Sequence, residues 1–199
     1  MAPRVTALEH DECRDRVRVA LDGAYWRTLP ATAVVAARLI VGTELDRERA
    51  CELARARRRA EALDLATRAL ARRDRSVVEL ADYLARRGIG RPERTQTIDR
   101  LTDAGYVDDL GFAYRRADSL SGRGYGDEAV RFELERRGIR PDLIDLALSS
   151  LQDERERAAE ILRAAPTPFA GVRRLATKGF SADTIEAAVA DARLDPGVE

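Results

Sequence analysis

A helix-ending motif recurs three times in this chain and limits the folds that the chain can adopt. Each copy has a leucine, three further residues, a glycine and an apolar residue, and the copies are Leu84–Ile89, Leu134–Ile139 and Leu175–Phe180. In each copy the glycine can take the left-handed conformation that ends a helix, and the apolar residue can pack back on the leucine. Recurrence at intervals of roughly 40 to 50 residues predicts small helical units that are stable only when stacked in tandem.

The residues before each motif predict where the same helices begin. Ser76, Gly126 and Thr167 stand at the same distance before the three motif glycines, and all three are residue types that serve well as N-caps. Ser76 and Glu79 also have the spacing of a capping box. The predicted N-caps and the predicted C-terminal glycine motifs therefore define the same three helices.

The composition favours helices around thin aliphatic cores. Charged residues make up 35% of the 199 residues and aromatic residues only 5%, while the hydrophobic content is 45%. Lys plus Arg equals Asp plus Glu, so the formal net charge is zero. This balance removes the simplest argument for a dedicated DNA-binding protein, which would normally be basic.

The first part of the chain differs from the rest because it is β-prone. Short runs of this kind are Val5–Leu8, Val17–Leu21 and Ala24–Leu29, and Asp22-Gly23 between the last two is a good hairpin turn. We predict a hairpin or a three-stranded sheet, then a short helix over about 30–39. A long helix begins after Asp46 and runs to about residue 70.

We therefore predict a mainly α-helical fold, with three tandem three-helix repeats in an elongated array behind a small N-terminal element that contains a β-hairpin. The predicted segments are the N-terminal element 1–45, a linker helix 46–59, and the repeats 60–106, 107–151 and 152–195.

Candidate chemical groups are few. His10 is the only histidine and lies beside Asp11, Glu12 and Cys13, but adjacent residues cannot all converge on one ion, so we interpret them as a polar loop. Asp108 and Asp109 open a helix and are interpreted as N-capping residues. Phosphate loops, catalytic triads and paired cysteines are not evident in the sequence. We predict a protein that is not an enzyme and has no cofactor or metal site.

The sequence also predicts a cytoplasmic location. Its apolar runs fall short of the roughly 20 residues that span a bilayer, and the N-terminus does not show the hydrophobic core of a secretion signal. Cys13 and Cys51 are isolated in the sequence, which is typical of free thiols in a reducing compartment.

The basic residues near the helix ends allow two interpretations. A cation in the last turn of a helix stabilises the helix dipole by about 0.3–1 kcal/mol, and this alone accounts for them. Alternatively, the same position in stacked units aligns the charges along one face that binds a partner. The candidate partner-binding residues, including a tyrosine expected to be exposed, are Arg86, Arg87, Arg115, Arg116, Arg123, Tyr125, Arg131, Arg136 and Arg137.

Motif order and spacing resemble one known family. The shared elements are Ser76-x-x-Glu79-Leu80 with Leu84-x-x-Arg87-Gly88-Ile89, Leu101-x-x-x-Gly105-Tyr106-Val107-Asp108-Asp109 with Phe112-Ala113, and Arg123-Gly124-Tyr125-Gly126 with Glu133-Leu134-x-x-Arg137-Gly138-Ile139. They look like the RecX family of bacterial RecA regulators, and the N-terminal hairpin looks like an extension that many members carry. One departure is the polar run Glu93-Arg94-Thr95, where the family usually has apolar residues.

The resemblance implies a non-enzymatic regulator that binds RecA and RecA filaments on single-stranded DNA. We expect it to be a monomer, and the sequence leaves weak direct nucleic-acid binding open. It also implies inhibition of the recombinase, ATPase and coprotease activities, and so a role in DNA repair, recombination and the SOS response. Two alternatives remain open at this point. One is a standalone DNA-binding protein of the helix-turn-helix kind, and the other is a repeat scaffold for a different protein partner.

Overall fold

The computed structural model describes residues 2–194 and begins with a three-stranded antiparallel sheet in the order β1-β2-β3. The strands are β1 (Val5–Asp11), β2 (Arg16–Leu21) and β3 (Ala24–Pro30). Asp22 and Gly23 join β2 to β3 with φ angles of 48° and 83°, the positive values that a tight hairpin turn of this length requires. The predicted sheet is confirmed, but His10 belongs to β1 and pairs with Val17 instead of lying in a loop.

Alternation along the strands gives the sheet one apolar face. Val5, Val17, Val19 and Leu29 are buried, and they share a core with Val34, Leu39, Leu45 and Leu53 from the segment that follows. Leu53 belongs to the first long helix, so the N-terminal element and that helix have one common core.

The remainder of the described chain is mainly helical, as predicted. After the short α1 come one long helix and then helices of nine to thirteen residues. Their bounds are α1 (Ala31–Ala36), α2 (Arg47–Leu70), α3 (Val77–Arg86), α4 (Arg91–Asp103), α5 (Asp109–Ser121), α6 (Asp127–Arg136), α7 (Pro141–Ser149), α8 (Glu154–Arg163), α9 (Pro168–Thr177) and α10 (Ala182–Leu194).

The three glycine motifs end α3, α6 and α9. Gly88, Gly138 and Gly179 have φ angles of 78°, 75° and 74°. The residue after each glycine donates its backbone N–H to the carbonyl of the motif leucine, at 3.1, 3.1 and 3.2 Å. This is the hydrogen bond of a Schellman cap, so the predicted helix ends are confirmed.

The predicted helix starts are confirmed as well. The Ser76 hydroxyl accepts the Glu79 N–H at 3.1 Å, and the Thr167 hydroxyl accepts the Ala170 N–H at 3.2 Å. Gly126 is the N-cap of α6. Asp108 accepts the Gly111 N–H at 3.0 Å, which gives this aspartate the capping role expected from the sequence.

The chain divides into two compact units. Among the described residues, the first unit contains 2–73 and 80–106, and the second contains 74–79 and 107–194. The division therefore falls within α3, whereas the predicted boundaries at 60 and 107 place all of α3 in one repeat. The long α2 runs through the predicted boundary between 59 and 60 without a break. The five-segment division remains a prediction, and its limits at residues 1 and 195 lie outside the described residues.

Within the second unit, successive repeats meet through corresponding pairs of hydrogen bonds at two junctions. Ser76 donates its hydroxyl to the Arg137 carbonyl at 2.6 Å, and Val77 donates its N–H to Asp109 at 2.8 Å. At the next junction the Gly126 N–H donates to the Lys178 carbonyl at 2.9 Å, and the Asp127 N–H donates to Glu154 at 2.6 Å. The start of one middle helix is thus capped by the following repeat.

Candidate partner-binding surface

Three of the candidate arginines converge on one carboxylate of α6. Arg136 and Arg137 follow Glu133 by three and four residues, a spacing that brings side chains together on a helix. Arg116 reaches the same carboxylate from α5, and each of the three arginines has a nitrogen 2.7 Å from a Glu133 oxygen. Arg137 also donates to Glu79 at 2.9 Å. These ion pairs fix the directions of the guanidinium groups.

The arginines change the titration of Glu133. Burial alone would raise the pKa of this carboxyl group, but hydrogen bonds from Arg136, Arg137 and Arg116 lower the pKa to about 2 from an ordinary value of 4.5. Glu133 is therefore ionised at neutral pH and holds three positive charges near one negative charge.

Arg136 and Arg137 have different surroundings although they are adjacent in the sequence. The side chain of Arg136 is 62% exposed, whereas that of Arg137 is 19% exposed. The Arg137 guanidinium also lies 5.8 Å from the centre of the Phe112 ring. Of this pair, only Arg136 presents its charge to solvent, while Arg137 joins α6 to the start of α3.

Two further candidates form ion pairs at the surface of the second unit. Arg115 lies 2.9 Å from Asp74, and Arg131 lies 2.7 Å from Asp145. Exposed pairs of this kind contribute only about 0–1 kcal/mol. A partner that supplies its own carboxylates can therefore replace either pair at low cost.

Tyr125 is not the exposed residue that the sequence suggested. It is half-buried and packs against the core of the second repeat, and its backbone N–H donates to the Leu120 carbonyl at 3.1 Å after the positive-φ Gly124. The Lys178 ammonium lies 3.8 Å from the centre of its ring, and the Arg123 guanidinium lies 5.5 Å away. Lys178 also donates to the Arg123 carbonyl at 3.4 Å. The Tyr125 ring therefore makes cation–π contacts with both Lys178 and Arg123.

The other two candidates belong to the first unit. Arg86 and Arg87 are exposed at the end of α3, and the Arg87 guanidinium lies 5.0 Å from the centre of the Tyr83 ring. The structure thus brings together Arg116, Arg136 and Arg137, places Arg123 against Tyr125, and leaves Arg115 and Arg131 in separate pairs. A binding role for any of them remains a prediction.

A buried arginine that the sequence analysis missed holds the second and third repeats together. Arg157 of α8 is almost fully buried. It donates to the carbonyl oxygens of Gln152 and Tyr125 at 3.0 and 2.9 Å and pairs with Asp127. One signal was available, since Arg157 precedes Ile161 by four residues and so lies on the apolar side of its helix.

The described residues contain neither a candidate metal site nor a helix able to span a membrane. Between residues 2 and 194, groups of three or more His, Cys, Asp or Glu side chains that could hold a metal ion do not occur. Cys13 and Cys51 are exposed free thiols. A helix with the length and apolar character needed to cross a membrane is likewise not found in this part of the chain.

Models of one protein family match the helical repeats. Residues 62–101 match the first three-helix domain of RecX, and residues 108–148 match the second. The fold is also that of solved structures. A crystal structure of regulatory protein RecX superimposes with a TM-score of 0.78 at 22% identity, covering 94% of this chain and 99% of that chain. RecX from Lactobacillus salivarius gives a TM-score of 0.60 at 19% identity, covering 69% of this chain and 97% of that chain.

Similar sequences carry the same family name. A regulatory protein RecX of Xanthomonas axonopodis pv. citri is 35% identical over 60% of this chain and 80% of that relative. One of Lactobacillus delbrueckii subsp. bulgaricus is 30% identical over 75% of this chain, and the chain spans only 56% of that relative's length. One of Lacticaseibacillus casei is 26% identical over 98% of this chain and 80% of the relative. The chain belongs to the RecX family of regulatory proteins.

Proposed function

We propose that this chain binds RecA filaments on single-stranded DNA and inhibits the recombinase, ATPase and coprotease activities of RecA. Through this inhibition it modulates DNA repair, recombination and the SOS response. It acts in the cytoplasm as a monomer and has no enzymatic activity of its own. RecX family membership supports the choice of partner.

The observation that most directly supports a binding role is the arginine cluster on Glu133. Arg136 is exposed, and its Nη2 and Nε atoms both donate to one Glu133 oxygen, Oε2, at 2.7 and 3.2 Å. A guanidinium held in this way has less conformational freedom to lose on binding than a free side chain. Arg115 and Arg131 are also exposed in the second unit. Arg115, Arg131 and Arg136 together present three positive charges, on side chains held by ion pairs, to a partner.

In this proposal, stacked repeats of one molecule contact successive RecA protomers. A molecule in that position obstructs incoming duplex DNA and the growth or rearrangement of the filament. The inhibition then requires no chemical step, and one bound molecule affects more than one protomer. Inhibition is therefore expected below one molecule per RecA protomer.

Co-sedimentation with RecA assembled on single-stranded DNA tests the proposed partner. We expect the chain to pellet with these filaments and to remain in solution with an unrelated protein filament. Single-stranded DNA without RecA is the second control, since strong and steeply salt-dependent binding to it would instead indicate a standalone DNA-binding protein. Failure to pellet with RecA filaments would favour a scaffold for another partner.

A further inference from the structure

The helix α9 lies in a stretch of the chain that contains no acidic residue. From Ile161 to Ala182 there is no Asp or Glu, although the whole chain has 35 acidic and 35 basic residues. The same stretch has four cations, which are Arg163, Arg173, Arg174 and Lys178. Charge is therefore locally segregated in the third repeat of a protein whose net charge is zero.

These cations are not neutralised by the fold. Arg173 and Arg174 are exposed on α9. In the described part of the chain, the ion pairs made by the third repeat involve Arg155 with Asp191 and Arg157 with Asp127, and neither includes an α9 residue. A surface that has unpaired cations and is otherwise well folded favours an anionic partner.

An exposed aromatic residue lies on the same helix face. Phe169 is 78% exposed and precedes Arg173 by four residues, so the two side chains are neighbours on α9. Exposed Phe together with Arg is the composition enriched at protein interfaces. Phe132 of α6 is similarly exposed, at 66%, but its helix carries four acidic residues.

Arg173 and Arg174 border a shallow depression of about 620 Å³, which is lined by Ala165, Pro166, Ala170, Arg173, Arg174 and Thr177. Its lining combines small apolar side chains with two guanidinium groups. Such a surface can accept an apolar side chain while the arginines bind carboxylates beside it. Arg174 also borders a second cleft, whose lining includes Arg123 together with the acidic residues Asp118 and Glu160, so the purely basic surface is confined to the α9 depression.

We propose that the exposed face of α9, defined by Phe169, Arg173, Arg174 and the depression beside them, binds an acidic protein segment that contains an apolar anchor residue. The small aliphatic groups that line the depression favour an apolar peptide side chain as its occupant. An exposed phenylalanine beside arginines can also stack bases, so oligothymidylate is included in the test as the competing ligand. The site does not depend on the proposed RecA inhibition.

The test uses the full chain and a fluorescein-labelled synthetic peptide in which glutamates flank a Leu-Phe pair, with binding followed by fluorescence anisotropy. We expect saturable binding that weakens as salt rises. Charge reversal by Arg173→Glu with Arg174→Glu, and separately Phe169→Ser, should each weaken binding by roughly tenfold or more. Circular dichroism should be unchanged, since all three side chains are exposed.

Two matched controls separate the site from general charge effects. Arg55→Glu with Arg59→Glu produces the same change in net charge on exposed residues of α2, and Phe132→Ser removes a similarly exposed phenylalanine from α6. Both controls should bind the peptide as the parent chain does. The proposal is overturned if the peptide does not bind, if the controls weaken binding equally, or if an all-glutamate peptide or oligothymidylate binds as tightly and Phe169→Ser has no effect.

Discussion

Arg136 and Arg137 allow the two roles of a helix-end arginine to be separated. Arg137→Gln removes a half-buried partner of both Glu79 and Glu133, and we expect it to lower the free energy of unfolding by about 1–3 kcal/mol. Arg136→Gln changes an exposed side chain and should cost less than about 0.5 kcal/mol. If Arg136 contacts RecA, its variant should remain folded yet inhibit RecA more weakly. Urea denaturation and the RecA ATPase assay measure the two effects.

The opposite pattern would contradict this assignment. An Arg136→Gln variant that inhibits like the parent chain would limit Arg136 to a role at the helix end. Arg115, Arg123 and Arg131 would then be the next positions to change, because in the same unit Arg115 and Arg123 are exposed and Arg131 is partly exposed.

Gly88 and Gly138 have the same backbone conformation but different neighbours. Alanine at either position is strained by the positive φ, at about 1 kcal/mol. At Gly138 the new β-carbon would also lie 2.6 Å from the β-carbon of Val78, whereas at Gly88 nothing lies within 4 Å. We predict that Gly138→Ala lowers the thermal midpoint clearly more than Gly88→Ala does. Equal midpoints would show that Val78 can move away.

Glu133 should contribute an acid-sensitive part of the stability. Its pKa in the folded chain is about 2, below the ordinary 4.5, so the ionised form favours folding. The contribution is present above pH 4.5 and is lost as the pH falls toward 2, with a size on the order of 2 kcal/mol after allowance for solvent screening. Urea unfolding at a series of pH values measures it. Glu133→Gln should show a shallower dependence in that window, and an identical dependence would refute the role.

At the scale of elements, the start of α3 depends on an acid from the next repeat. Burial is the main influence that raises the pKa of Asp109, although the hydrogen bond from the Val77 N–H opposes this rise. Asp109→Asn keeps an acceptor for that N–H and removes a partly buried charge, so stability should change by less than about 0.5 kcal/mol. Asp109→Ala removes the acceptor and should cost about 1–3 kcal/mol. Thermal unfolding compares them, and equal losses would argue that the hydrogen bond contributes little.

The sequence predicted helix ends well because their causes are local. A glycine such as Gly138 is needed where φ is positive, and Ser76 or Thr167 caps a helix with its own side chain. The site was harder to predict, since the burial of Arg137 depends on Glu79, which lies far away in the sequence. Arg157 was missed for the same reason, because it pairs with groups of the neighbouring repeat. The exposure of Tyr125 was misjudged because its packing against the second-repeat core is a tertiary contact.

The polar run in the first repeat is another case of a contact that the sequence did not indicate. Glu93 stands where members of the RecX family usually have an apolar residue. Its carboxylate lies 2.9 Å from Arg58 of α2, and the hydrogen bond from Arg58 lowers its pKa. An ion pair between α2 and α4 thus occupies this position.

At the scale of the whole molecule, we predict that the N-terminal element is not needed for binding to RecA filaments. A fragment without the first 45 residues exposes Leu53, which otherwise lies in the core of the sheet, so the start of α2 should lose helicity. Hydrogen exchange should show protection of the second unit unchanged, and the fragment should still co-sediment with RecA filaments. A fragment with an intact second unit that does not co-sediment would place the sheet in the interface.

The central claim is tested most directly by titrating the chain into RecA that is hydrolysing ATP on single-stranded DNA. We predict that the ATPase rate falls progressively and is strongly reduced below one molecule of this chain per RecA protomer, because each bound molecule obstructs more than one protomer. An unchanged ATPase rate at equimolar protein would contradict the account.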